Sequence, residues 1–410
     1  MSPDNVWEFR GTDLIKFGVG AVEELGYEAG RFHAEKALII TDPGVREAGI
    51  CDRVQAPLEE SGIETVIWDQ AEPEPTTESY DRCYKDNSGL DVDVVVSVGG
   101  GSSLDIGKSI SMMLEHGGEV RDYIRPPVGK GQQVPGPGLP NIAIPTTSGT
   151  ASEVTQVSVL SEPDGDAKVA IASPYLRPEV ALVDPELTVT LPPNLTASTG
   201  LDALAHAVEA YTHKSYCQMT KPETPADRPS YAATQLTDCL AIKAIELIGD
   251  NLRMAVNNGD DIQARKGMSL ASLISGLSFG NAGVHLVHAL GHTVGAMKHK
   301  PHGISCAVLM PPILRKLAEV DFEHLSNIAR VMGEDLQGLN PRESAMKGAE
   351  AVEQLMKDVD CPLSMKELGV TENEIPAIAK ATMENNEFLA TSSRRHITED
   401  DLEDILREAL

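Results

Sequence analysis

The sequence predicts a two-part chain: an open α/β half with a parallel sheet over residues 1–190 and an all-α half over residues 191–410. Three observations predict it. Short β-branched apolar runs alternate with helical stretches up to about residue 190, and beyond that point the strands stop. The change falls at Pro192-Pro193, followed by Asn194 and Thr196, a pattern that starts helices. The expected strands are 37–41, 64–68, 92–98, 141–144 and 180–183. Continuous apolar runs separated by crossovers suit parallel strands buried on both faces. In the second half the apolar periodicity predicts helices over 198–212, 234–257, 261–278 and 284–297, with further helices after them. The proline-rich stretch 221–229 between them reads as a surface loop or lid.

Composition excludes several partners. The 410 residues carry 34 Lys+Arg against 62 Asp+Glu, a formal net charge of -28. Such a surface repels nucleic acid, whose phosphates are bound by releasing counterions to Lys/Arg clusters, and it repels anionic membranes for the same reason. Recurrent apolar runs such as 37–40 and 94–96 argue for a folded chain and against disorder. A heavily carboxylated surface stays hydrated when salt screens charges within about 3 Å at 1 M, which points to a salt-rich, halophilic setting. Six cysteines with no C-x-x-C spacing suit reduced thiols. Residues 1–4 lack the basic and apolar regions of a signal peptide, and no run of 18 apolar residues occurs. The expectation is a cytoplasmic protein.

The run Val94–Val98 passes into Gly99-Gly100-Gly101-Ser102-Ser103 and then a helical pattern through Asp105 and Lys108. Glycines let a backbone approach a phosphate and present free N–H groups, and a helix start adds a favourable dipole. The order differs from the usual dinucleotide fingerprint, in which an acidic residue follows the glycine loop by about 20 residues. Here the well-placed carboxylate, Asp42, precedes Gly99 by 57 residues. A second polar cluster, residues 145–155, follows the expected strand at 141–144. Two such loops at strand ends predict one shared ligand crevice.

Eleven histidines in 410 residues give about 0.5 in an 18-residue window, yet residues 285–302 hold five. His285, His288 and His292 fall at i, i+3 and i+7, which predicts one helical face, and His302 follows in a turn that can return to it. Asp202 and His206 stand at i and i+4. One carboxylate with several imidazoles suits Fe2+ or Zn2+ and does not suit Mg2+ or Ca2+, which take oxygen ligands. His213 and His299 read as solvated surface residues.

These residues resemble the iron-containing (group III) alcohol dehydrogenase family over essentially the whole chain. The motifs are Thr41-Asp42, Pro73-Glu74-Pro75-Thr76, GGGSxxDxxK at 99–108, PTTSGTxSEVT at 145–155, GLDALAHAVEAY at 200–211 and HxxxHxxGAxxxxPHG at 288–303. The resemblance implies a dehydroquinate synthase-like fold with a Rossmann-like N-terminal nucleotide-binding domain, an all-helical metal-binding domain, an active cleft between them and a homodimer or larger oligomer. It implies that Asp202, His206, His288 and His302 ligate Fe2+ or Zn2+, with His292 beside the metal as a substrate-positioning or proton-relay residue. Gly100, Gly101, Ser102 and Asp105 would hold the cofactor pyrophosphate, with Thr146, Thr147, Thr150, Thr155 and Lys168 around the phosphates, ribose and nicotinamide. Asp42 would face the adenosine ribose, where a carboxylate repels a 2'-phosphate and favours NAD over NADP. Glu74 stands where the family often has Asn, and His285 is not a ligand in the family pattern. The implied reaction is reversible hydride transfer between a small alcohol or diol and its aldehyde or ketone. Residues 122–131, the proline loop and residues 279–285 are also similar to a hydroxyacid-oxoacid transhydrogenase branch, the alternative reading.

Overall fold

A computed structural model describes residues 6–126, 128–162, 168–219, 224 and 231–410. The chain divides into two compact units, Gly11–Leu191 and Pro192–Leu410, the latter joined by the N-terminal segment through Arg10. That segment is held by a reciprocal pair: Arg10 N donates to Asn281 Oδ1, and Asn281 Nδ2 donates to the Arg10 carbonyl. The expected proline loop at 221–229 lies almost entirely outside the described residues.

The first unit is built on a six-stranded sheet of β1 (Leu14–Phe17), β2 (Lys36–Ile40), β3 (Glu64–Trp68), β4 (Val94–Gly99), β5 (Asn141–Pro145) and β8 (Val180–Val183). Its order is β1-β8-β5-β4-β2-β3, and every pair is parallel. Alternation along the strands explains the continuous apolar runs. Ala37, Ile39, Val94 and Val96 enter one core, while Leu38, Ile40 and Val95 enter the other, so both faces are covered. A strand buried on both faces has no place for polar alternation, which is why β2, β4, β5 and β8 are legible; β3, an edge strand with Glu64 exposed, shows through its β-branched Thr65, Val66 and Ile67 instead.

Three strands escape sequence reading. β1 is a four-residue edge strand whose residues are all half-exposed, and it carries Lys16 in its middle. The antiparallel pair β6 (Val157–Ser161) and β7 (Lys168–Ala172) forms a separate two-stranded sheet, too short and too polar to show a period.

All six sheet strands are parallel, so their carboxyl ends share one edge. The chain turns direction there: β2 leads outward to β3, and β4 returns on the other side of β2. This is the topological switch point at which open α/β sheets bind ligands. The loops after β2, β4 and β5 leave side by side from it, carrying Asp42, the glycine run and residues 146–155.

The second unit is helical, with one large core. Its helix Pro193–Thr212 starts at the double proline, Pro193 serving where a missing N–H costs nothing. Helices Gln235–Asn257, Ile262–Ala282, Leu286–Lys298 and His302–Leu317 follow, close to the expected spans and followed by others. Among the described residues no single helix is long and apolar enough to cross a membrane.

Candidate active site

In the helical unit three helices supply the donor residues. Helix Pro193–Thr212 carries Asp202, His206 and Glu209, one face at i, i+4 and i+7. Helix Leu286–Lys298 carries His288 and His292, and helix His302–Leu317 opens on His302 itself. Close packing at two glycines brings them together. A Cβ on Gly303 would stand 2.2 Å from the Ser198 carbonyl, and one on Gly291 would stand 2.7 Å from Cys306 Sγ.

The four expected ligands converge. Asp202 Oδ1 lies 3.5 Å from His302 Nε2 and 3.9 Å from His288 Nε2, and Asp202 Oδ2 lies 3.9 Å from His206 Nδ1. Ligands bonded at about 2.1 Å around a tetrahedral ion are about 3.4 Å apart, so these edges are slightly open. Asp202, His206 and His288 are buried, and Asp202 Oδ1, His206 Nδ1 and His288 Nε2 have no hydrogen-bond partner. Each buried unsatisfied polar atom costs about 1–3 kcal/mol, so three grouped about one carboxylate fit a cation that would satisfy them.

The surroundings set the donor atoms. Glu209 is fully buried; its Oε1 accepts from the Val287 N–H, and its Oε2 lies 2.5 Å from His288 Nδ1. A carboxylate only accepts, so His288 Nδ1 carries the proton and Nε2 keeps its lone pair for a metal, the usual carboxylate-histidine-metal arrangement. Burial, and then the neighbouring His206, push the His288 ring well below its ordinary pKa, which keeps it neutral. Burial raises Glu209, with His285 beside it pulling the other way. The His206 ring is stacked between Phe279 at 4.0 Å and His288 at 4.6 Å. His292, half-buried, lies on the rim, its ring 5.2 Å from His302 and 5.8 Å from His288.

Two histidine expectations are corrected. His285 is not on the helical face of His288 and His292; it caps the helix with φ -144° and ψ -117°, and its Nδ1 accepts from the Leu286 N–H. His285 Nε2 is 2.9 Å from the Thr212 hydroxyl, so this ring braces the helix start. His213 is buried, not solvated, and burial lowers its pKa to about 4. His299 is exposed, as expected.

In the α/β unit the glycine run turns from β4 into helix Gly101–His116, whose N-terminus has no side-chain cap and presents its N–H groups. Gly99 adopts φ 144°, and a Cβ there would meet Ser103 Oγ at 2.6 Å. A Cβ on Gly107 would meet Ser97 Cβ at 2.3 Å, so this helix lies directly on β4. Asp42 caps the short helix after β2 by accepting from Val45 N–H, and its other oxygen accepts from Ser103 Oγ at 3.1 Å. The carboxylate 57 residues upstream is thus tied to the glycine loop. The threonine loop closes the other side: Thr146 N–H donates to the Gly99 carbonyl, a Cβ on Gly100 would be 3.5 Å from Thr147, and one on Gly101 would be 2.8 Å from Thr150. Ser102 is half-exposed in the first helical turn.

Asp105 and Thr155 face inward instead. Asp105 accepts from Ser152 Oγ and from the Val159 N–H and pairs with buried Lys108 at 2.8 Å, while the Thr155 hydroxyl accepts from Lys108 Nζ. An anion so satisfied does not hold a phosphate; the pair fastens the threonine loop and β6 to the glycine-loop helix. Lys168 pairs with Glu74 at 3.2 Å. The sequence reading assigned no site role to Glu209, Phe279 or Lys108, although the helical spacing of Glu209 from Asp202 and His206 was a usable signal.

Comparison with known proteins agrees with both units. Residues 13–185 match the family model described as iron-containing alcohol dehydrogenase, and residues 229–410 match the C-terminal model of the Fe-containing alcohol dehydrogenase family. The chain is 37% identical over 379 residues to long-chain-alcohol dehydrogenase 1 of Geobacillus thermodenitrificans, covering 92% of this chain and 91% of that protein. It is 35% identical over 398 residues to the NAD-dependent methanol dehydrogenase of Bacillus methanolicus, covering 96% and 97%. A crystal structure of 1,3-propanediol oxidoreductase superposes with a TM-score of 0.89 at 34% identity, covering 99% and 100% of the two chains. The chain belongs to the iron-containing alcohol dehydrogenase family.

Proposed function

We propose that this alcohol dehydrogenase interconverts a small alcohol or diol and its aldehyde or ketone with NAD, and that Asp202, His206, His288 and His302 hold its Fe2+, or Zn2+ in its place. The observation that carries this reading is that buried, partnerless donor atoms of Asp202, His206 and His288 cluster about the Asp202 carboxylate, each histidine nitrogen 3.9 Å from one of its oxygens. When bound, the metal supplies a Lewis acid for the alcohol oxygen and the nicotinamide supplies the hydride acceptor. The residues do the rest. Asp202 offsets positive charge in a dry site, Glu209 fixes the His288 tautomer, and Phe279 holds the His206 ring flat. His292 orients the substrate hydroxyl from the rim and accepts its proton on a ring nitrogen. His292→Ala is therefore expected to lower kcat about a hundredfold with metal per chain unchanged; loss of metal in that variant would make His292 a ligand instead.

On the nucleotide side, the N–H groups at Gly100, Gly101 and Ser102 suit the pyrophosphate, with the hydroxyls of Thr146, Thr147 and Thr150 beside them, and Lys168, paired with Glu74, is the cation that the family resemblance adds. Asp42, facing the adenosine ribose, repels a 2'-phosphate. Asp42→Asn keeps the helix cap and removes the charge, so the NADP-to-NAD ratio of kcat/KM should rise about tenfold or more, equivalent to at least about 1.4 kcal/mol. An unchanged ratio refutes the role.

The same reading places the enzyme in a salt-rich cytoplasm as a homodimer. The net charge of -28 and six free cysteines support the setting. Sedimentation and thermal melting across a KCl series test it together. The expected result is a particle of twice the chain's 43.9 kDa whose Tm climbs into molar salt; a monomer, or a Tm indifferent to salt, contradicts the corresponding half.

A further inference from the structure

Among the described residues of the helical unit, a close group of four donor atoms differs from the four family positions. Asp202, His288, His302 and Cys306 each offer one ligand atom, and all four atoms lie within 4.8 Å of one another. His206 is outside that group, though its Nδ1 stays 3.9 Å from Asp202. Cys306 stands one turn beyond His302 on the same helix, with Sγ 3.8 Å from His302 Nε2 and 3.9 Å from Nδ1. The sulfur is fully buried and occupies room left by Gly291, on the helix that carries His288. It is therefore fixed from two helices, both bearing expected ligands.

A buried cysteine that only fills space behaves as a small apolar group. Cys306 has the wrong neighbours for that role. Asp202 Oδ1 and His288 Nε2 share its cluster, belong to residues only 3% exposed, and lack any hydrogen-bond partner. We propose that Cys306 Sγ is a further donor to the metal of this centre, giving the chain a mixed oxygen, nitrogen and sulfur ligand set. The proposal rests on the metal reading given above. On binding, the S–H bond breaks, a metal–sulfur bond forms and the proton leaves to solvent. Within the ligand set one thiolate and one aspartate offset the divalent ion, while the Glu209 carboxylate behind His288 adds a further negative charge. Sulfur also moves the preference of the site toward Zn2+ over Fe2+, compared with oxygen and nitrogen donors alone.

Cobalt reports the ligand directly. The chelated protein is reconstituted with one Co2+ per chain and its absorption is recorded for wild type, Cys306→Ser and Cys217→Ser, Cys217 being an exposed cysteine. Wild type and Cys217→Ser should both show visible ligand-field bands and a near-ultraviolet sulfur-to-cobalt charge-transfer band. Cys306→Ser should keep the ligand-field bands and lose the charge-transfer band. Ligand-field bands without charge transfer in wild type, or a charge-transfer band that survives in Cys306→Ser, overturn the sulfur donor and leave the metal centre standing. Absence of all cobalt bands overturns both. Absence of the charge-transfer band in wild type overturns the sulfur donor even if a variant fails to fold.

Discussion

Asp202→Ala is expected to yield a folded protein that retains no metal and whose kcat/KM has fallen by about three orders of magnitude or more, the scale of several kcal/mol of lost Lewis-acid stabilisation. Asp202 is the hub of the cluster, lying within 3.9 Å of a ring nitrogen on each of the other three proposed ligands. The sign of its effect on the metal-free protein separates this role from a structural one. A buried carboxylate whose Oδ1 has no partner destabilises the apo fold, so the alanine variant should melt no lower than apo wild type. Full metal occupancy in the variant, or a large drop in its apo Tm, would remove Asp202 from the centre.

Gly303→Ala should produce the largest loss of stability. Its Cβ would stand 2.2 Å from the Ser198 carbonyl, a backbone atom of the helix that carries Asp202 and His206, and 2.9 Å from Ser198 Oγ. No rotamer relieves a clash with backbone, so the two helices must part. The expected cost is about 3 kcal/mol, or roughly 10 °C in Tm for a unit of this size, with weakened metal retention because His302 is the adjoining residue. Gly249→Ala, in helix Gln235–Asn257, is the control: its Cβ would meet Met332 at an ordinary 3.7 Å, and replacing a mid-helix glycine should leave Tm unchanged or raise it. Equal melting of the two variants would contradict the close approach.

The parts of this enzyme that could be read from sequence are those governed by a local period. The central strands are legible because both faces are buried and apolar residues run together, as at Val94–Val96. Asp202 with His206, and His288 with His292, are legible because i, i+4 spacing is a property of one helix. Contacts between elements are not. Nothing local says that His285 leaves the helical path to cap it, or that Asp105 turns inward to accept from Ser152 and Val159. Phe279 and Cys306 became visible only when separate helices packed around the site. Asp42 stood out as the one well-placed carboxylate, but its link to Ser103 comes from a strand order that puts β2 beside β4.

The most direct test of the metal-dependent, NAD-linked activity is a chelation and restoration series on one anaerobically purified sample, following free NADH formed from a primary alcohol or diol alongside metal per chain. The expected result is about one metal ion per chain, NADH formation that disappears as the ion is removed, and recovery on adding back Fe2+ or Zn2+. NADH formation that persists in metal-free protein would contradict a metal centre built on Asp202, His206, His288 and His302.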